Sequence, residues 1–291
     1  MKMTPWEKAE PKELSEIRGV CLDIDDTLST HGKLTAEAFA ALWKLKNAGF
    51  AVVPITGRPA GWCDHIARFW PVDAVVGENG AFTFYMDRGG ADPGNRKPAV
   101  LRRLDTPGGE SDPVKRRAAL EALGAAIRHR FPHARWASDQ AYREFDLAID
   151  FCEDVPAWSE ADVRELVKLC TDAGAHAKVS SIHVNAWFGE YDKWGGFEHW
   201  VQSGFPGLAG GAAKFGLGAK TPRQEWLFIG DSPNDEPLFK HFDATVGVAN
   251  LKRFLPDLKS PPRWMTKEIS GAGFAQMAEG LCFARSLVRT P

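Results

Sequence analysis

Three aspartates, Asp23, Asp25 and Asp26, follow directly on an apolar segment in the stretch "GVCLDIDDTL". Like charges this close repel one another, and burying any of them without a partner is costly. The spacing therefore leaves two interpretations. Either a strand ends here and the acids are solvated, or something positive holds them together.

A second group of acids follows another apolar strand pattern, in "LFIGDSPND". In doubly wound sheets, ligands bind beyond the carboxyl ends of the strands, so the two groups are expected to meet at one edge of a sheet. A cluster of carboxylate oxygens is a site for a hard divalent cation, most plausibly Mg²⁺. Such a cation would offset the repulsion, and its predicted ligands are Asp23, Asp25, Asp231 and Asp235.

Groups that suit an anion occur at two further positions. The strand pattern "FAVVPI" ends in Thr56, Gly57 and Arg58, where a hydroxyl and a backbone N–H beside a glycine suit a phosphate oxygen. Lys193, in "GEYDKWGG", can supply positive charge at the start of a helix. Acids for a cation together with a threonine and a lysine for an anion indicate phosphoryl-transfer chemistry.

The elements that must position these residues follow an alternating pattern. Strand-like "RGVCLDID", helical "TAEAFAALWKLKNAG", strand-like "FAVVPI", helical "GWCDHIARFW" and strand-like "DAVVGENGAFTFY" succeed one another at short intervals. This order is typical of a parallel sheet covered by helices. The pattern resumes with "EWLFIG", "ATVGV" and a last helix near 271–287, so the predicted fold class is α/β with a Rossmann-like core.

The character of the chain changes between these halves. A segment rich in Gly, Pro and charge leads into two helical patterns and the strand patterns "EFDLAIDF" and "HAKVSSIHVNAWF". The sequence thus predicts an α+β cap inserted into a split core. The predicted boundaries are 1–85 for the first part of the core, 86–188 for the cap and 189–291 for the second part.

Composition excludes several classes of protein. The chain has 291 residues with 44% hydrophobic and 25% charged residues, values of a globular protein with ample material for a core. A formal net charge of -2 gives no general attraction to nucleic acid or to anionic membranes. The N-terminal segment lacks an apolar signal core, and no apolar run is long enough to span a bilayer.

The five cysteines are odd in number, scattered and never spaced as C-x-x-C. This pattern favours reduced thiols in a cytoplasmic protein over a disulfide framework or a zinc site. The expected partner is a small phosphorylated molecule, with neither nucleic acid nor membrane, and the expected state is a monomer or a homodimer.

The segments "DIDDT", "ITGR", "DKWGG" and "GDSPND" resemble, in this order, the four motifs of the haloacid dehalogenase (HAD) superfamily. The insert between the second and third motifs resembles the type C2 cap of its subfamily IIB, the branch of Cof-like hydrolases and sucrose- and trehalose-phosphatases. D-x-D-x-T paired with G-D-x-x-N-D is specific, whereas "ITGR" alone is not. The resemblance implies a Mg²⁺-dependent phosphatase for a small phosphorylated sugar or a sugar-like metabolite.

The resemblance also implies roles for individual residues. Asp23 would be the nucleophile that forms an aspartyl-phosphate, and Asp25 the general acid and base. The Asp23 carboxylate, the Asp25 backbone carbonyl and Asp231 would hold Mg²⁺, and Asp235 would orient the lysine or a metal-bound water. The groups that would grip the phosphoryl oxygens are Thr56 and Lys193, with Asn234 assisting.

The cap is expected to determine specificity. Strand alternation in "VSSIHVNAWF" places Ser181, His183, Asn185 and Trp187 on one face, where hydrogen-bonding groups and an aromatic ring suit a sugar. The resemblance adds Glu78 and Asn79, in "GENGA", as contacts from the core. Structural functions stay open as alternatives to substrate binding. Asn79 would then be a turn residue, His183 and Asn185 would be structural residues of a half-buried strand, and Arg58 would pair with a surface acid.

One departure and two alternatives remain. Many members of the superfamily carry glycine where this chain has Asp26, which leaves an additional negative charge unexplained. A phosphosugar mutase would use the same aspartyl-phosphate but return the phosphoryl group to the sugar. A catalytically inactive sugar-phosphate binding protein would be expected to have lost some of the acids, and none is missing.

Overall fold

The computed structural model describes residues 3–88 and 99–288. The strands within these ranges are β1 Thr4–Pro5, β2 Gly19–Leu22, β3 Ala51–Pro54, β4 Ala74–Gly77, β5 Phe82–Asp87, β6 Val100–Asp105, β7 Arg135–Trp136, β8 Asp146–Asp150, β9 His176–Val179, β10 His183–Trp187, β11 Trp226–Gly230, β12 Ala244–Gly247 and β13 Trp264–Met265. The α-helices are α1 Pro11–Leu14, α2 Ala36–Asn47, α3 Ala60–Phe69, α4 Pro113–Arg130, α5 Glu160–Asp172, α6 Lys193–Gln202, α7 Gly211–Phe215, α8 Pro222–Glu225, α9 Glu236–His241 and α10 Ser270–Val288.

A parallel sheet forms the centre of the molecule, in the strand order β1, β13, β12, β11, β2, β3. A parallel bridge from Ile55 to Val76 continues it to β4, to which β5 and β6 add in antiparallel pairing. Strand β2 is paired at both edges, with β11 and β3, and hydrophobic cores cover both of its faces, so all of its residues are buried. This explains why its sequence is a continuous apolar run and does not alternate with polar residues.

The two faces of the sheet belong to different hydrophobic cores. Val20 and Leu22 of β2 join the core that includes side chains of α2 and α10, whereas Cys21 joins the core that contains Phe197 and Trp200 of α6. Successive side chains of a strand point to opposite faces, which produces this division. The loops beyond the carboxyl ends of the strands are thereby fixed from both sides.

A second, antiparallel sheet with the order β7, β8, β10, β9 carries helices α4 and α5. It has a hydrophobic core of its own, in which Ile127, Ile149, Leu166 and Val184 are buried. The α/β fold class, with a parallel-sheet core and an inserted α+β unit, is therefore confirmed.

The domain boundaries remain predictions, and the pairing of β6 bears on the first of them. Strand β6 falls within the predicted cap (86–188), yet it hydrogen-bonds to β5 along its whole length. The predicted linker segment also includes residues 89–98, which lie outside the described residues. The antiparallel sheet of the inserted unit itself spans β7 to β10.

The segment "HAKVSSIHVNAWF", predicted only as having strand character, forms two antiparallel strands, β9 and β10. The turn between them is held by Ser180, whose hydroxyl accepts hydrogen bonds from the backbone N–H groups of Ile182 and His183. Ser181 therefore lies in a turn, while His183, Asn185 and Trp187 occupy alternate positions of β10.

The glycines of "DKWGG" and "GENGA" let helix α6 approach the turn after β4. A Cβ atom on Gly196 would lie 2.7 Å from the Cα of Gly80, and one on Gly80 would lie 1.9 Å from the backbone oxygen of Asp192. Neither distance is compatible with a side chain. This contact fixes the first turn of α6 and, with it, Lys193.

We expect Gly80→Ala to destabilise the protein strongly, because both its φ of +108° and the contact with Asp192 oppose a Cβ atom. The matched control is Gly204→Ala, where φ is +85° but no atom lies within 4 Å of the added Cβ. The control should lose about 1–2 kcal/mol of unfolding free energy for the left-handed conformation alone. Gly80→Ala should lose about 1–3 kcal/mol more, since the backbone must move. Equal losses in chemical denaturation would contradict the assigned contact.

None of the helices in the described ranges is both long and apolar enough to cross a membrane.

Candidate active site

The ends of two neighbouring parallel strands bring the predicted acids together. Asp23 follows β2 and Asp231 follows β11, and Asp235 lies one turn further along the chain. Asp23 is 4% exposed, whereas Asp231 and Asp235 are fully buried. One carboxylate oxygen from each of the three lies within 4.8 Å of the others.

Lys193 supplies a positive charge to this cluster. It is the first residue of α6, whose N-terminus is capped by the Asp192 carboxylate through the N–H of Gly195. Its Nζ donates to Asp23 Oδ1 at 2.8 Å and to Asp235 Oδ1 at 2.6 Å. The predicted lysine and the predicted nucleophile are therefore in direct contact.

Asp235 is held by its own turn as well as by Lys193. Its Oδ2 accepts hydrogen bonds from the backbone N–H groups of Asp231 at 3.0 Å and Ser232 at 3.3 Å. Both of its oxygens are thus engaged by the protein. This geometry suits the predicted role of orienting the lysine better than direct metal ligation.

Asn250, which the sequence analysis missed, fixes two of the loops. Its Nδ2 lies 3.2 Å from Asp231 Oδ2 and 3.0 Å from the backbone oxygen of Asp26, and it donates to both. Its Oδ1 accepts from the backbone N–H of Ser270. The available signal was its position just after β12, because that strand ends at the same edge of the sheet.

The charges of the cluster do not balance. Burial, together with the charges of Asp235 and Asp25, raises the pKa of Asp23 to about 8 although Lys193 opposes the shift. Burial and the neighbouring acids raise the pKa of Asp231 well above its usual value. Burial would lower the pKa of Lys193, but Asp23 and Asp235 raise it above its usual value. One ammonium thus faces three carboxyl groups that are difficult to ionise together.

The donor set fits a hard divalent cation. Carboxylate oxygens are the preferred ligands of Mg²⁺, and the Asp23 and Asp231 oxygens lie close enough to share an ion. Since a cation would favour the ionised form of both groups, it would also relieve their raised pKa values. The residues present therefore fit the ion that the acids predicted.

Asp25 is turned toward Arg58. The Arg58 guanidinium donates from Nη2 to Asp25 Oδ1 at 2.6 Å and from Nε to Asp25 Oδ2 at 2.9 Å. Such a bidentate pair fixes the orientation of the carboxylate. Arg58, which the sequence left open as a substrate contact or the partner of a surface acid, is 5% exposed and pairs with the predicted general acid and base.

The same guanidinium joins the core to the inserted unit. Its Nη1 lies 3.1 Å from Asp139 Oδ2, and its Nη2 lies 3.3 Å from Glu153 Oε1. The second oxygen of Glu153 lies 2.8 Å from His183 Nε2. His183 and Arg58 together lower the pKa of Glu153 to about 2, so this residue is a carboxylate.

The predicted phosphate-binding loop after β3 is only partly exposed to the cavity. Gly57 lines it, whereas Thr56 is fully buried and its hydroxyl accepts from the backbone N–H of Arg58 at 3.0 Å. The backbone oxygen of Gly57 accepts from Arg143 of the inserted unit at 2.8 Å. The assignment of Thr56 to substrate therefore remains a prediction.

Glu78 joins the core to the inserted unit. Its fully buried carboxylate accepts from the backbone N–H groups of Ala60, Glu144 and Phe145. Burial, followed by the charge of Asp146, raises its pKa to about 8 although Arg143 opposes the shift. Glu78 does not line the cavity, and its predicted contact with a substrate stays untested. The contacts that the structure does show are the hydrogen bonds that join the core to the inserted unit.

The amides of Asn79 and Asn185 meet on one carboxylate. Asn185 Nδ2 donates to Asp146 Oδ2 at 2.9 Å, and Asn79 Nδ2 lies 3.5 Å from the same oxygen. Asn79 also occupies the left-handed turn before β5, with a φ of +56°. Asn79 is therefore a turn residue, and its contact with a substrate stays a prediction, since it does not line the cavity.

The remaining predicted residues divide between the cavity and the core. Asn234, His183 and Asn185 line the cavity. Trp187 does not, because it is 2% exposed and stacks on Tyr191 at 5.9 Å. The expectation that its ring faces a sugar is not met in this conformation.

The cavity between the two units is small. Asp23, Asp25, Gly57 and Arg58 line it from the core, and Arg143, His183 and Asn185 line it from the inserted unit. Its volume is about 10 Å³, which is space for about one water molecule. In this conformation the cavity is too small to hold a phosphate ester.

A comparison with protein-family models agrees with the motifs of the sequence. Residues 20–91 match the family model of haloacid dehalogenase-like hydrolases. Over this segment the chain is similar to haloacid dehalogenase-like hydrolases. This finding confirms the resemblance that the four motifs indicated.

Several solved structures share the fold over almost the whole chain. A Thermoplasma acidophilum protein has a TM-score of 0.63 at 16% identity, over 91% of this chain and 98% of its own. The sucrose-phosphatase of Synechocystis, solved with sucrose and phosphate, has a TM-score of 0.58 at 15% identity, over 91% and 98%. The C-terminal domain of C. albicans trehalose-6-phosphate phosphatase has a TM-score of 0.63 at 12% identity, over 95% of each chain. No curated protein matches the sequence.

The departure at Asp26 has a conformational explanation. Asp26 has a φ of +53°, a left-handed conformation that glycine adopts freely and aspartate tolerates. Its N–H donates to the Ser29 hydroxyl at 3.2 Å. Aspartate can therefore replace glycine in this turn without altering the backbone.

Sequence reasoning missed the acidic and basic residues that the inserted unit contributes beside the site. Arg143 is 1% exposed and pairs with Asp139 and Asp146, each at 3.0 Å. Asp150 accepts from the backbone N–H groups of Glu153 at 2.7 Å and Asp154 at 2.8 Å. These partners lie only three or four residues away, and the distant contact is the one from Arg143 to the backbone oxygen of Gly57, which no local motif indicates.

The raised pKa values make the stability of this protein depend on pH when no cation is bound. An acid whose pKa is raised in the folded state binds more protons there than in the unfolded chain, so stability falls as the pH rises between the two values. For Asp23 this interval runs from 3.8 to about 8. The pKa of Asp231 shifts in the same direction.

We therefore compare Asp231→Asn with wild type in excess chelator. The difference in unfolding free energy, variant minus wild type, should be more positive at pH 8 than at pH 6. The measurement is the free energy of unfolding in urea at both pH values. Asp172→Asn, at an exposed position on α5, is the control and should show no such trend. A difference between Asp231→Asn and wild type that is the same at both pH values would contradict the expectation.

Proposed function

We propose that this hydrolase is a Mg²⁺-dependent phosphatase that acts on a small phosphorylated sugar or a sugar-like metabolite. The observation that carries the proposal is the contact of Lys193 with Asp23 at the end of β2, beside the carboxylates of Asp231 and Asp235. It combines a nucleophile, a cation for phosphoryl oxygens and ligands for a metal ion in one place.

The first half of the reaction forms a covalent intermediate. A carboxylate oxygen of Asp23 attacks phosphorus, and the bond from phosphorus to the leaving oxygen breaks. Asp25, on the same cavity wall, gives the leaving oxygen its proton. Lys193, the backbone N–H of Gly57 and the Asn234 amide hold the phosphoryl oxygens.

The second half regenerates the enzyme. Asp25 takes a proton from water, whose oxygen attacks the aspartyl-phosphate and releases inorganic phosphate and the free Asp23 carboxylate. Arg58 holds Asp25 in a fixed orientation for this step. The Asp23 and Asp231 carboxylates and the Asp25 backbone carbonyl would hold Mg²⁺, which, when bound, offsets the repulsion between the carboxylate and the phosphate.

The substrate class is supported by the inserted unit and by the fold. His183 and Asn185, both polar, line the cavity. The sucrose-phosphatase and the trehalose-6-phosphate phosphatase that share the fold are named for sugar phosphates. A cytoplasmic location, which the free cysteines favour, belongs to the same proposal.

A phosphosugar mutase is the alternative that one observation favours. The inserted unit leaves a cavity of only about 10 Å³ beside Asp23, and a mutase requires such a cover to limit the access of water to an aspartyl-phosphate. A mutase yields an isomeric sugar phosphate without free phosphate. Assaying both products from the same reaction separates the two functions.

The decisive experiment is phosphate release from a panel of sugar phosphates and one aryl phosphate, with Mg²⁺ and with excess chelator. We expect release that depends on the metal. If no member of the panel releases phosphate, the proposed phosphatase function is wrong. Ligand binding without turnover would then favour an inactive binding protein.

Asp23→Asn should reduce phosphate release by more than about a thousandfold, because an amide cannot attack phosphorus. The control is Asp172→Asn, which is expected to keep wild-type rates. Circular dichroism should show that both variants are folded. Near wild-type turnover by Asp23→Asn would mean that another group is the nucleophile.

Mg²⁺ should raise the melting temperature of the wild-type protein at pH 7.5, because an ion that binds only the folded state stabilises it. Asp231→Asn should lose most of this shift, since it removes one of the ligands. Asp172→Asn should keep it. An undiminished shift in Asp231→Asn would place the ion elsewhere.

A further inference from the structure

Ser181 carries a buried hydroxyl without a hydrogen-bond partner among the described residues. The residue is 8% exposed and lies in the turn between β9 and β10, on the wall of the active-site cavity. Its neighbour Ser180 differs, since that hydroxyl holds the turn together. An unpaired buried hydroxyl is costly, which points to a ligand as the missing partner.

Two larger clefts adjoin the cavity, and Ser181 lines both. The first, here the acidic cleft, has a volume of about 500 Å³ and includes Asp25, Asp26, Arg58, Glu153 and Asp154. The second, here the basic cleft, has a volume of about 680 Å³ and is lined by three cations, Arg164, Lys178 and Arg253, against the two carboxylates of Glu160 and Glu236.

The position of Asp25 selects between the two clefts. A general acid must lie within hydrogen-bonding reach of the leaving oxygen. Asp25 lines the cavity and the acidic cleft, but it does not line the basic cleft. The part of the substrate beyond the leaving oxygen therefore extends into the acidic cleft.

The charge of the acidic cleft restricts what it accepts. Four carboxylates line it, against the cations of Lys33 and Arg58, and Arg58 is already paired with Asp25 and Glu153. Asp150 fixes the backbone of the loop that carries Glu153 and Asp154. Carboxylates accept hydrogen bonds from hydroxyl groups and repel other anions.

We propose that the acidic cleft binds a neutral, hydroxyl-bearing leaving group, that Ser181 hydrogen-bonds one of its hydroxyls, and that Asp154 selects against substrates with a second anionic group. The inference rests on the proposed phosphatase function and narrows its substrate class. Ser181 and Asp154 would act on specificity alone, since neither is needed for attack on phosphorus.

The test compares kcat/KM for two pairs of esters that differ in one charged group, with p-nitrophenyl phosphate as the reference. The pairs are glucose 1-phosphate with glucuronate 1-phosphate, and glycerol 3-phosphate with 3-phosphoglycerate. We expect the neutral member of each pair to be preferred by about tenfold or more at low salt. The preference should narrow at high salt, because exposed charges are screened.

Two variants assign the preference to residues. Asp154→Asn should reduce the neutral-to-anionic ratio by about threefold, with Asp172→Asn as the matched control that leaves it unchanged. Ser181→Ala should lower the ratio of the neutral esters to p-nitrophenyl phosphate by about fivefold to tenfold, the effect of one lost hydrogen bond. Its stability should not fall, because the hydroxyl has no partner to lose.

The outcomes separate this inference from the function on which it rests. If none of the five esters is hydrolysed, the proposed phosphatase function is wrong, and the inference is wrong with it. Turnover of p-nitrophenyl phosphate without preference within the pairs, or without turnover of the neutral esters, overturns the inference alone. Preference for the anionic members also overturns it, because that result places the leaving group in the basic cleft.

Discussion

The structure of the site depends on one buried ion pair network, in which Lys193 is shared by Asp23 and Asp235. A charge in the interior is costly unless it is paired and hydrogen-bonded, so each member constrains the others. The network joins the end of β2, the turn after β11 and the start of α6. Removing Lys193 would leave Asp23 and Asp235 buried without their cation, whereas removing one of these acids would leave Lys193 paired with the other.

The network also explains the glycines at positions 80 and 196 and the need for a cation at the site. Helix α6 must enter close to the turn after β4 for its first residue to reach Asp23, and only glycine at positions 80 and 196 permits this approach. The three carboxyl groups exceed the single ammonium, and this imbalance makes a divalent cation the natural complement of the fold.

A second charge network couples the inserted unit to the core. Arg58 holds Asp25 of the core and also contacts Asp139 and Glu153 of the inserted unit. The orientation of the proposed general acid therefore depends on the position of the inserted unit. Because the cavity between them has space for about one water molecule, the conformation described is closed.

The sequence by itself determined the α/β class, the order of the main elements and the acids that follow β2 and β11. Continuous apolar runs identify buried parallel strands, and their carboxyl ends meet at one edge of a sheet whatever the details of packing. Only the tertiary structure decided which groups pair: Arg58 with Asp25, Glu78 with the backbone of the inserted unit, and Trp187 with the core. These contacts join residues that are distant in the chain, and their geometry depends on how two units pack, which no local pattern encodes.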